Sequence, residues 1–222
     1  MTTSLPALSL LETRVLGVLV EKQHTVADTY PLTLNALIAG CNQKTSRDPV
    51  FSATEVEVQS TVDRLKSLSL IVESSGGRVM RYAHNVERVL ALPSQAVALL
   101  ATLMLRGPQT LGELRINSDR LHRFADISAV DAFLQELASR PSGALVAELP
   151  RAPGSRENRW MHLLSGVLLP DIVPADGSVA IAGDIVTVSE IAALKANVRH
   201  LEEELEALKT TVANLRSELG GT

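Results

Sequence analysis

The sequence predicts a mainly α protein with small β-wings: two tandem winged-helix (helix-turn-helix) domains plus a C-terminal coiled-coil helix. Three observations lead there. The order helix, helix, helix, hairpin is written between Ser9 and Tyr82, and the same order recurs between Ser94 and Leu163. Beyond these, apolar residues alternate in steps of three and four to the end of the chain. The expected boundaries are 8–86 for the first winged helix, 92–164 for the second, 165–188 for a linker and 189–219 for the terminal helix.

The first helix opens on Ser9-Leu-Leu-Glu12, a capping box in which hydroxyl and carboxylate each satisfy an orphan amide. Leu11, Val15, Leu16, Val18 and Leu19 follow at helical spacing. A short second helix is expected after Tyr30-Pro31, with proline in its first turn and Leu34, Leu37 and Ile38 as its stripe, ending near Gly40. The third is expected from Phe51-Ser52-Ala-Thr-Glu55-Val56, read as a capping box with a hydrophobic staple between Phe51 and Val56. Val58, Val62, Leu65 and Leu68 form its buried stripe. Leu70 to Glu73, the turn Ser74 to Gly77 and Arg78 to Tyr82 read as a hairpin.

In the second set a helix from Ser94 to Arg106 stops at Gly107-Pro108, and Thr110-Leu-Gly-Glu113 caps a short helix. A third helix begins at Ile127-Ser128 and stops before Pro141; Leu145 to Leu149 and Asn158 to Leu163 are its wing. The landmarks Ile71 and Leu145 lie 74 residues apart. In the last segment Ile191, Leu194, Val198, Leu201, Leu205, Leu208, Val212, Leu215 and Leu219 keep a heptad, with Ile or Val and Leu at a and Leu at d. That pattern favours a parallel two-stranded coil and hence a homodimer; the alternative is one amphipathic helix lying back on its own body.

Composition narrows the classes. The chain has 222 residues, 45% of them hydrophobic but only 3% aromatic, so Leu, Val, Ile and Ala must build its core. A lone Cys41 cannot form an internal disulfide, and no secretory signal or membrane-length apolar run is present. A cytoplasmic protein without membrane association is expected. The 21 basic and 25 acidic residues are unevenly placed, leaving a near-neutral body (+1 for Met1 to Leu164) and an acidic tail.

No phosphate-binding loop, dinucleotide fingerprint, metalloprotease motif or Cys-x-x-Cys pair occurs, and the five histidines have no metal-ligand spacing. No enzyme, cofactor or metal is expected. Cys41 reads as a small buried hydrophobe rather than a thiol sensor.

A helix-turn-helix inserts the exposed face of its third helix into the major groove. Here the first such face carries Val56, Ser60, Asp63 and Ser67, flanked by Glu57, Gln59 and Arg64; the second carries Ala132, Gln135, Glu136 and Ser139. Neither is an ordinary reader of DNA. Basic residues lie in loops and wings instead: Lys44, Arg47, Arg78 and Arg81 in the first set; Arg115, Arg120, Arg123, Arg151, Arg156 and Arg159 in the second. Together with Gln59, Ser60 and Arg64 they are the candidate DNA contacts, phosphate contacts foremost. The expected function is DNA-binding and transcription-regulator-like; the alternative is a protein-interaction scaffold without direct DNA binding, for which exposed Val56 speaks. Solvated arginines or ion pairs with Asp48, Asp119 and Glu157 are the plainer account of the same residues.

Leu11 to Lys22, Tyr30 to Leu37, Cys41 to Lys44 and Arg47 to Val50, with Gly112 to Arg115, Arg120 and Phe124, resemble the YceH-like family of bacterial proteins. The resemblance spans roughly Leu8 to Leu164. It implies two winged-helix domains and no particular activity.

Overall fold

The computed structural model describes residues 5–75, 79–151 and 157–166. Hairpin-turn residues Gly76 and Gly77, candidate contacts Arg78 and Arg156, the linker beyond Gly166 and all nine heptad residues lie outside them.

Helix α1 (Leu10–Thr25) begins where its capping box dictates: the Ser9 hydroxyl accepts from the Glu12 amide at 3.1 Å, and Glu12 accepts from the Ser9 amide at 2.6 Å. Strand β1 (Leu32–Thr33) follows, then α2 (Leu34–Cys41), α3 (Glu55–Ser67), β2 (Ile71–Ser74), β3 (Arg81–His84) and the short α4 (Val86–Leu90). The second set comprises α5 (Ser94–Arg106), α6 (Leu111–Asn117), α7 (Ile127–Ala138), β4 (Val146–Leu149) and β5 (Arg159–His162). The described part is therefore mainly helical with two small antiparallel sheets, a winged-helix-like arrangement.

The two sheets echo each other. In the first, β3 lies between β1 and β2, with Leu32 opposite Tyr82 and Ile71 opposite His84. In the second, β4 pairs with β5, and Gln109 bridges Trp160 through both backbone bonds, 3.0 and 2.7 Å. In each case the extended residues lie just ahead of a helix capped by a threonine, Thr33 or Thr110.

Helix α1 packs most extensively on α5, and their apolar residues belong to a single core cluster with α3 and α7. Leu16, Leu19, Leu99, Leu100 and Leu103 are fully buried, each removal from water contributing about 1.5–3 kcal/mol. Two glycines permit close approach: a Cβ on Gly40 would lie 2.5 Å from Val18 Cγ1, and one on Gly17 2.9 Å from Leu105 Cγ. Polar ties join the halves as well. Asp48 N–H donates to the Leu105 carbonyl at 2.8 Å, and Arg106 Nη2 to Ser46 Oγ at 2.8 Å.

Three local expectations are corrected. Pro31 does not start α2; it precedes β1, and Thr33 caps the helix by accepting from the Ala36 amide. The capping box of α3 is Thr54 with Glu57, two residues later than Ser52 with Glu55. The staple between Phe51 and Val56 is absent, because the Phe51 ring lies under the Arg14 guanidinium (4.5 Å) while Val56 is 78% exposed. No helix among the described residues is long and apolar enough to cross a membrane.

Candidate nucleic-acid interface

The inward stripe of α3, Val58, Val62 and Leu65, is buried as its spacing requires, so Glu55, Val56, Ser60 and Asp63 face outward. With Leu34 and Gln59 they line a shallow hollow. Gln59 donates to Asp63 at 3.1 Å, so that amide is engaged along its own helix. On α7 the outward residues include Ala132, Gln135 and Glu136, with Ser139 capping its C-terminal end, again without a cation.

Most candidate cations of the first half are held by the protein itself. Arg47 is buried; Nη2 lies 2.6 Å and Nη1 3.1 Å from the two Glu21 oxygens, and Nε donates to the Gly40 carbonyl. Burial would raise the Glu21 carboxyl, but the Arg47 hydrogen bond and charge outweigh it and hold the group below its usual range. Arg47 is therefore a structural cation and is corrected out of the phosphate-contact set. Arg64 Nε lies 2.6 Å from Glu12 Oε1, tying α3 to the carboxylate that caps α1. Arg81 donates to the Thr29 and Pro31 carbonyls at 3.1 and 2.8 Å. Lys44 and Ser60 are exposed.

The second half differs. Arg115, Arg120, Arg123, Arg151 and Arg159 are all exposed. The first three flank the turn from α6 into α7. Arg115 donates to the Ala125 carbonyl at 3.3 Å, and Arg123, whose side chain is 89% exposed, lies 3.8 Å from Asp119. Phe124 anchors that turn, buried edge-on between His122 (4.7 Å) and Phe133 (6.0 Å), so the flanking arginines sit on a fixed loop. Arg151 and Arg159 belong to the wing, Arg159 opposite Leu149. The structure thus places an exposed basic set around α6, α7 and the second wing, whereas near α1 to α3 Arg47, Arg64 and Arg81 are engaged by the protein itself and Lys44 is exposed.

Sequence reasoning singled out Val56 but missed other exposed apolar side chains. Val72, Val79 and Met80 on the first wing and Ile116 on α6 are 49, 57, 40 and 73% exposed. The available signal was strand alternation: with Ile71 on the core face, Val72 must point outward. Cys41 is fully buried, and burial pushes its thiol up to about 12, which leaves no thiolate for redox chemistry near neutrality.

Comparison with known proteins gives consistent matches over nearly the whole chain. A UPF0502 protein of Burkholderia lata is 59% identical over 218 residues, covering 98% of this chain and 91% of its own length. A UPF0502 protein of Burkholderia pseudomallei (strain 668) is 58% identical over 217 residues with the same coverage. Another from Burkholderia multivorans is 59% identical over 218 residues. A family model described as "Protein of unknown function, DUF480" matches residues 8–155, in keeping with the YceH-like resemblance, and on these matches the chain belongs to the UPF0502/DUF480 family.

Proposed function

We propose that the protein binds duplex DNA as a transcription-regulator-like protein built on two winged helices, residues 8–86 and 92–164, with the second making the principal contacts. One observation carries this reading: Arg115, Arg120 and Arg123 stand exposed around the turn into α7, joined by Arg151 and Arg159 on the adjoining wing. Exposed arginines on a fixed loop suit phosphate oxygens, which position a protein without reading bases. The outward face of α7, which carries Glu136 and no cation, makes sequence discrimination by bidentate base contacts a minor contribution. Dimerisation through Ile191 to Leu219 would double the phosphate contacts and steepen the salt dependence.

The test is titration of random-sequence duplex DNA with the full chain at low and physiological salt. Affinity should fall steeply with salt, and the double substitution Arg120→Ala with Arg123→Ala should lower the log–log slope by about 2, about 1 per lost phosphate contact. Absence of binding even at low salt overturns the reading.

A protein-interaction scaffold is the second reading, favoured by Val56 at 78% exposure and by the exposed apolar wing residues Val79 and Met80. Its discriminating result is DNA affinity that ignores the α7-side arginines, together with loss of a protein partner when Val56→Glu is introduced.

A further inference from the structure

A cavity of about 380 Å³ lies where α1, the loop before α3, the end of α5 and β5 converge. That volume is in the range of small-molecule sites. Its walls are largely apolar, with Phe51, Leu103, Met104 and Met161 among them. Three of its lining residues each carry a buried polar atom with no hydrogen-bond partner among the described residues: Arg14 Nε, His162 Nδ1 and Ser165 Oγ. Buried polar atoms are nearly always satisfied, so three such atoms on residues of one cavity are free to meet a polar ligand there.

Arg14 decides the chemistry. It is 1% exposed, and its Nη1 and Nη2 donate to the Cys41 and Pro49 carbonyls at 3.2 and 2.6 Å. Neutral carbonyls are its hydrogen-bond acceptors, and no carboxylate among the described residues comes within ion-pair distance of it. A buried guanidinium with no carboxylate in ion-pair contact and no acceptor for its Nε–H favours an anion. His162, whose pKa burial lowers to about 4, stays neutral near pH 7 and offers a ring nitrogen rather than a second charge. Asp48 also lines the cavity but is exposed to water, which weakens its repulsion of an anion held deeper by Arg14.

We propose that this cavity binds a small carboxylate with an apolar body, its carboxyl group received by Arg14 Nε with His162 and Ser165, its hydrocarbon part packed on Leu103, Met104 and Met161. The site stands apart from the DNA-binding reading, since its test contains no DNA and either can fail alone.

The experiment compares two probes with the same apolar body and opposite charge, 3-phenylpropionate and 2-phenylethylamine, by calorimetric titration of the full chain at pH 7. The carboxylate should bind with a Kd of about 1 mM, as suits so small a probe, and at least about tenfold more tightly than the amine. Leu10 provides the site-specific control: it lines the cavity, is 45% exposed and occupies the first turn of α1, where a glutamate suits the helix. Leu10→Glu should weaken 3-phenylpropionate by about threefold relative to Leu10→Gln, the modest size reflecting the same exposure to water that weakens Asp48. Equal or tighter binding of the amine overturns the proposal, as does no carboxylate binding up to about 10 mM. So does an affinity that Leu10→Glu leaves unchanged.

Discussion

The two halves of the described molecule repeat one order of elements but spend their arginines differently. Around α1 to α3, Arg47 is buried against Glu21, Arg64 is tied to Glu12, and Arg81 is bonded to two carbonyls. Around α6 and α7, Arg115, Arg120 and Arg123 remain exposed. Exposed apolar side chains occur in both halves, Val56 on α3 and Ile116 on α6, so the difference lies in the arginines. Residue type alone therefore does not mark an interface; what matters is whether the fold has already satisfied the charge.

The sharpest way to break that contrast is Arg47→Ala. It leaves the Glu21 carboxylate, whose side chain is 15% exposed, with only Lys22 at 3.0 Å. A loss of about 3 kcal/mol is expected, because removing one partner strands the other in a poorly solvated site. Urea unfolding of wild type and variant measures it. A change below about 0.5 kcal/mol would return Arg47 to the surface set.

Next comes Gly40→Ala. The added methyl would lie 2.5 Å from Val18 Cγ1, and valine is β-branched and stiff, so α1 and α2 must move apart. A cost of about 1–3 kcal/mol is expected by thermal unfolding. Gly112→Ala, which meets nothing within 4 Å, is its control on α6 and should be neutral or slightly stabilising.

How much of this was legible follows from the range of the interactions concerned. The capping boxes at Ser9 and Thr110 are read within four residues, and the structure has both. At α3 the sequence offers two overlapping boxes, Ser52 with Glu55 and Thr54 with Glu57, and local pattern cannot choose. The choice goes with a distant contact, since Phe51 packs under Arg14, across the fold on α1. Strand β1 has two residues, too few for a period of two to register. Arg47 looked like a loop cation because Glu21 lies 26 positions away. The site separated along the same line: exposure on a turn such as that of Arg120 and Arg123 is local and readable, whereas satisfaction by a remote partner is not.

Acid sharpens the comparison, because each half holds one half-buried histidine whose pKa is lowered. Burial, and secondarily the charge of His24, lowers His84 to about 4, and burial alone lowers His162 to about 4. An unfolded histidine titrates near 6.5, so between these values the unfolded chain binds the proton first. Stability is full above about pH 6.5 and is lost as pH falls toward about 4. Between pH 7 and 5 each ring should contribute a loss of about 1–2 kcal/mol. Imidazole chemical shifts report them separately; a midpoint near 6.5 for either ring would show it solvated in the fold. A bound carboxylate beside His162 should shift that ring's titration and leave His84 unmoved.

The smallest effect belongs to the residues with the largest proposed role. Arg123 and Asp119 approach only to 3.8 Å, with side chains 89 and 61% exposed, in the spacing of one helical turn. Exposed pairs of this kind are screened by water and salt, so a double-mutant cycle over Arg123→Ala and Asp119→Ala should give a coupling below about 0.5 kcal/mol. Arg123→Ala should likewise leave the unfolding midpoint within error of wild type. That near-silence is what the contrast between the halves requires. Arg47 acts on stability because the fold consumes its charge; Arg123 should act on DNA affinity because the fold leaves its charge unspent. A coupling above about 1 kcal/mol would mean the α6–α7 turn is held by ion pairs as the first half is, and the distinction between the halves would collapse.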